Sequence, residues 1–191
     1  MTKPRKSTRP LATATLVALL TSGCAGPVNQ EANKIFMNSL GNTSVTVFPA
    51  FVRQSQTGEY DADAADKIGA FLTDEGVAQA SIADAQVPIP GSWRHNQAAM
   101  LKESADAFAA YLADHPVETD YALLPEYLLG PSAVGGIHCY VVDARNRLAF
   151  AILLNSHWDL FIEMDPKTVD DCTDVLIEAL RRDLLTEGSG G

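Results

Sequence analysis

IHCYVVDARNRLAFAILLN, residues 137–155, carries the reading of the fold. Two apolar runs flank the turn-like DARNR, in which Asn146 is able to take a left-handed backbone. That is a hairpin, with strands over 137–142 and 148–155 and a turn at 143–147. The second strand is apolar almost throughout (AFAILL, 149–154) instead of alternating. A sheet containing it is therefore covered on at least part of both faces, and the rest of the chain has to supply the helices.

Moving outward, YALLPEYLL (121–129) reads as a strand broken by Pro125, and SVTVFPAF (44–51) as a strand with Pro49 at its end or in a bulge. Residues 61–75 read as a helix: Asp61 stands at the cap, Ala64, Ile68, Phe71 and Leu72 fall at i, i+4, i+7 and i+8, and Gly76 stops it. A short strand over 77–82 leads to the Pro/Gly loop ADAQVPIPGSWRHN (83–96). A second amphipathic helix spans 97–114, with Leu101, Ser104, Phe108, Tyr111 and Leu112 as its stripe. The last helix is expected from Asp165, with Pro166 at its first position, to about Leu185, presenting Val169, Cys172, Leu176 and Leu180 on one face. Trp158, just after an apolar strand, is expected in the core. The order is β-α-β-α-β-β-β-α: one α/β domain over 44–185 with a mixed β-sheet and helices packed on it. Residues 24–43 read as a tether turning helical near its end, and 186–191 (TEGSGG) as a flexible tail.

Residues 1–23 have the zones of a secretory signal peptide. Lys3, Arg5, Lys6 and Arg9 come first, then the apolar run LATATLVALL, then Thr21, Ser22 and Gly23 ahead of Cys24. The apolar run is about half the ~20 residues a membrane-spanning helix needs. The chain carries 14 basic and 24 acidic side chains. Taking the four leader cations from the 14 leaves 10 against 24, so the remainder sits at −14. Such a surface repels phosphate backbones and anionic lipid heads, which excludes nucleic-acid binding and a basic membrane patch.

The end of the leader resembles a lipobox, the site at which lipoprotein-processing enzymes diacylate a cysteine and cleave before it. Ser22 and Gly23 match; Thr21 departs, with the expected leucine one place early at Leu20. The resemblance implies lipidation at Cys24, a palmitate-type anchor and attachment to a membrane. Ala25, where an aspartate would favour inner-membrane retention in Gram-negative lipoproteins, implies the outer membrane, facing the periplasm. From Ser44 onward the pattern resembles a periplasmic domain shared by the TolB amino-terminal domain, the curli-secretion lipoprotein CsgG and lipoproteins that activate penicillin-binding proteins. The matching pieces are TVFPAF, ADKIGAFLTDEG, TDYALLPEYL and the turn VVDARNR. The resemblance implies a scaffold or assembly factor. It carries over no channel role, because the long segments from which CsgG builds its pore are missing.

Few residues suggest chemistry. Cys139 and Cys172, 33 positions apart, are candidates for a disulfide in an oxidising compartment, with two separate buried thiols as the alternative. His95, His115, His138 and His157 are scattered without metal-ligand spacing. His138 neighbours Cys139, but adjacent strand residues face opposite ways and do not form a base–nucleophile pair. Asp61, Asp63 and Asp66, like Asp170, Asp171 and Asp174, stand where helix N-termini favour carboxylates. Trp93 and Arg94, in the 83–96 loop, are the candidate interface, a lid over the core being the other reading of Trp93. No catalytic motif, metal site or cofactor motif emerges. The expectation is a non-enzymatic, membrane-anchored envelope lipoprotein that binds an envelope protein partner or helps assemble a complex. The alternative is a small-molecule-binding receptor lipoprotein.

Overall fold

The computed structural model describes residues 28–54, 57–90 and 96–185. It is a mixed α/β domain built on a seven-stranded sheet, as the sequence pattern implied. The long strands β5 (Tyr121–Leu129), β6 (Val134–Asp143) and β7 (Leu148–Leu154) are antiparallel neighbours in the order 5-6-7. On the other side of β5 run two short strands, β1 (Ser44–Val47) and β2 (Ala50–Gln54), one behind the other and both parallel to it. β4 (Gln79–Ile82) adds parallel to β1, and β3 (Thr57–Asp61) adds antiparallel to β2.

The junction between β1 and β2 is a bulge around Pro49. Val47 pairs with Leu123 and Phe51 with Glu126, so four steps on one strand match three on the other. The extra residue reverses the alternation. Val45 and Val47 face the same core as Ala50 and Val52, while Phe48 and Phe51 face the other. Pro125, expected to break its strand, does not: β5 runs unbroken through it. Leu123 accepts from the Phe48 amide on the β1/β2 side (2.8 Å). Alternation points the Pro125 nitrogen to that same side, where the bulge leaves no regular partner, so the missing donor is not needed.

One sheet face is covered by α1 (Gln30–Ser39), α2 (Ala62–Asp74), α4 (Asp159–Met164) and α5 (Val169–Leu185), around Phe36, Ile68, Tyr127, Cys139 and Leu176. The other is covered by α3 (Gln97–Asp114) and by Val87 and Ile89 of the segment before it, around Phe48, Leu101, Phe108 and Leu124.

Four local expectations change. The tether is helical from Gln30, capped by the Asn29 side chain, and α1 belongs to the domain: Phe36 packs edge-on against Tyr121 at 4.9 Å. The chain after Phe51 continues into a hairpin, β2–β3, whose polar edge strand gave little apolar signal. Gly58 is required there, because a Cβ would lie 1.9 Å from the Phe51 ring. The last helix starts at Val169, not Asp165. Asp165, at φ +44°, ends the short α4, and a reciprocal cap sets the later start. The Asp171 carboxylate accepts from the Lys167 and Thr168 amides, and the Thr168 hydroxyl accepts from the Asp171 amide. Trp158 precedes α4 and is 37% exposed instead of buried in the core.

Candidate functional site

The concentration of polar chemistry lies beneath α3. Arg53 on β2, Glu126 on β5, and His138 and Tyr140 on β6 all point to the α3 side, and Ser104 of α3 closes over them. Each is at most 1% exposed. The strands place them by register: Glu126 is paired to Phe51 on one side and directly to His138 on the other. Arg53 reaches this side because the bulge turned its strand over.

Every group but one is bonded. The Arg53 guanidinium donates from Nε (3.0 Å) and Nη2 to Glu126 Oε1, and from Nη1 to the Pro90 carbonyl. Nη2 also lies 3.4 Å from Ser104 Oγ. The Tyr140 hydroxyl donates to Glu126 Oε2, and His138 Nδ1 lies 3.3 Å from that oxygen and 3.1 Å from the Tyr140 oxygen. His138 Nε2 has no partner. A buried polar atom left unsatisfied costs about 1–3 kcal/mol.

The electrostatics favour an ionised carboxylate beside the Arg53 guanidinium and a neutral phenol. Burial pushes the Glu126 carboxyl up, but His138, Arg53 and Tyr140 outweigh it and hold the group at about 2. Burial and the neighbouring Glu126 charge push the Tyr140 phenol well above its ordinary range. At neutral pH the carboxylate is an anion saturated with donors, and the phenol is a fixed donor. A sealed carboxylate at about 2 is no general acid or base near neutrality, so the cluster's chemistry is cohesion. It ties three strands, α3 and the segment ending at Pro90 into one unit. Tyr60 adds a second tie to that segment by donating to the Val87 carbonyl.

The expected site residues do not gather here. Cys24, Trp93, Arg94 and His95 lie outside the described residues. Cys139 and Cys172 share the opposite core, and both are buried, free thiols with no bridge between them. Burial pushes both thiols up, Cys172 to about 12, so neither forms a reactive thiolate near neutral pH. His138 and Cys139 face opposite sides, as strand geometry requires. His115 stacks on Tyr111 at 4.4 Å, and His157 is exposed. Among the described residues no group of three His, Cys, Asp or Glu is placed to hold a metal ion. The acidic clusters do ordinary work: Asp61 caps α2 through the Ala64 amide (2.8 Å), and Asp170 and Asp174 meet Lys67.

Sequence reasoning missed Arg53 and Glu126. The available signal was charge on a strand: Arg53 stands two places after Phe51, and Glu126 sits inside YALLPEYLL. A charge in a strand buried on both faces needs a partner on a neighbouring strand.

No family model and no curated protein matches the chain in sequence. Among solved structures it aligns with the PelC dodecamer from Paraburkholderia phytofirmans, at 14% identity over 82% of this chain and 91% of that one, with a TM-score of 0.37. So loose a superposition leaves fold and function to the chain's own residues.

Proposed function

We propose that this chain is a bacterial envelope lipoprotein, held to the outer membrane through a lipid on Cys24 and facing the periplasm. Its folded part acts without catalysis, as a partner-binding or assembly module of the kind the TolB and CsgG resemblance implies. The observation that carries the reading is the leader: four cations, an apolar run half the length of a membrane span, then Ser22-Gly23-Cys24. Two features of the domain support it. Its buried charged cluster is committed to internal bonds, and its free thiols are buried and protonated. No helix among the described residues is long and apolar enough to cross a membrane.

The test is mass spectrometry of the mature amino terminus from membranes, paired with crosslinking in intact cells. The reading expects a diacylglycerol thioether and an acyl chain on Cys24, and a crosslinked envelope protein. An unmodified Cys24, or cleavage elsewhere, would sink the anchor. Turnover of a small substrate by the purified domain would sink the non-enzymatic half.

A further inference from the structure

We propose that the end of the domain crossed by α1 and closed by the β6–β7 turn is its membrane-contacting face, with a phospholipid headgroup layer as the partner. The proposal rests on the lipid anchor at Cys24 and adds to it a defined orientation.

α1 is fastened to that end at both of its termini. The Asn29 amide donates to the Leu148 carbonyl (2.9 Å), and the Asn33 side chain donates to the Ala149 carbonyl (2.9 Å), both at the start of β7. Glu31 lies 3.4 Å from Arg147, just after the turn. Further along, Phe36 sits on Tyr121, the first residue of β5. Past the helix, the Gly41 amide donates to the Val77 carbonyl, two residues before β4. The helix thus crosses one end of the sheet, and the chain leaves the domain at a fixed point beside the β6–β7 turn.

Five steps of chain lead from Cys24 to Asn29. Whatever their path, they reach at most ~18 Å. β6 has ten residues, so the opposite end of the sheet lies ~30 Å farther along it. The tether is shorter than the domain, so the α1 end stays within ~18 Å of the anchored cysteine and the opposite end cannot be the one that meets the bilayer.

The alternative is a domain lying on one of its broad faces. The outer surface of α2 and α5, with Asp63 and Asp66 exposed and Asp174 paired to Lys67, is acid-rich and opposes this against anionic lipid. The α1 end is of mixed charge, with Arg145 in the turn and Lys34 on the helix exposed beside Glu31, Glu118 and Asp120, and it exposes Ile35 at 47%. Charge therefore does not select this end; the short tether does, with Ile35 as an exposed apolar contact.

The processed chain, purified from membranes, tests the orientation in vesicles of phosphatidylethanolamine and phosphatidylglycerol with a headgroup-level quencher. Its two native thiols in the fold are buried, so a fluorophore reports only on an introduced cysteine. Arg145→Cys and Asn38→Cys probe the α1 end; Ser132→Cys and Ser156→Cys probe the opposite end, all at exposed positions. The proposal expects a several-fold greater loss of fluorescence at Arg145→Cys and Asn38→Cys. Equal quenching of the two pairs, or more at Ser132→Cys and Ser156→Cys, with the protein floating on the vesicles, overturns the orientation and leaves the anchor standing. A processed chain that fails to float overturns the anchor, and the orientation with it.

Discussion

Glu126 and His138 stand directly opposite each other on β5 and β6, with His138 Nδ1 3.3 Å from a Glu126 oxygen that also accepts from Tyr140. The pair has no contact with solvent, and Arg53 balances it from the other side. An ion pair in such a place gains little over a well-packed apolar pair, but losing one member strands the other.

Glu126→Gln and Arg53→Met are therefore each expected to destabilise the domain by about 3–5 kcal/mol. The combined Arg53→Met, Glu126→Gln variant should lose markedly less than the two single losses added together. Denaturant midpoints for the four proteins measure this. Additive losses would mean that the two side chains are not energetically coupled.

Acid should expose the same cluster. The Glu126 carboxyl moves from an ordinary 4.5 to about 2 on folding. A depressed carboxyl contributes stability above the unfolded value and loses it as pH falls toward the folded one. About 3 kcal/mol should therefore drain away between pH ~4.5 and ~2. Urea titrations across that window should show the loss in the parent chain and a flatter profile in Glu126→Gln. Parallel profiles would count against it.

Cys139 and Cys172 should behave as shielded thiols. An alkylating reagent should leave the folded domain unlabelled and add two labels after denaturation, with or without reductant. Labelling that requires reductant would reveal a bridge.

Gly58→Ala places a methyl group inside the Phe51 ring, on the opposing strand of the β2–β3 hairpin. A cost of about 1–3 kcal/mol is expected. Phe51→Leu in the same chain should recover part of it. An unchanged thermal midpoint in Gly58→Ala would show that the ring moves aside freely.

The α/β class, both amphipathic helices and the hairpin at 143–147 were legible because each rests on a strong periodic or turn signal. α1 was not, since it buries only Ala32 and Phe36 fully. The start of α5 was misplaced because the cap between Thr168 and Asp171 outcompetes the helix-start signal of Pro166. The cluster was hidden by two prolines. Ending one strand near Pro49 left Arg53 outside it, and breaking another at Pro125 separated Glu126 from the sheet. Both prolines sit at the junction of β1 and β2, where local rules predict interruption and the long strand β5 carries the ladder through.

That junction makes spacing, more than residue identity, the sensitive quantity between Val47 and Phe51. Deleting one residue there would remove no contact of the charged cluster directly. It would shift the downstream frame by one, sending the guanidinium of residue 53 into the oily layer beneath α2 and α5 and turning Val52 toward a stranded carboxylate. Homologues that keep the cluster should hold the length of this segment constant, with apolar residues at its buried positions.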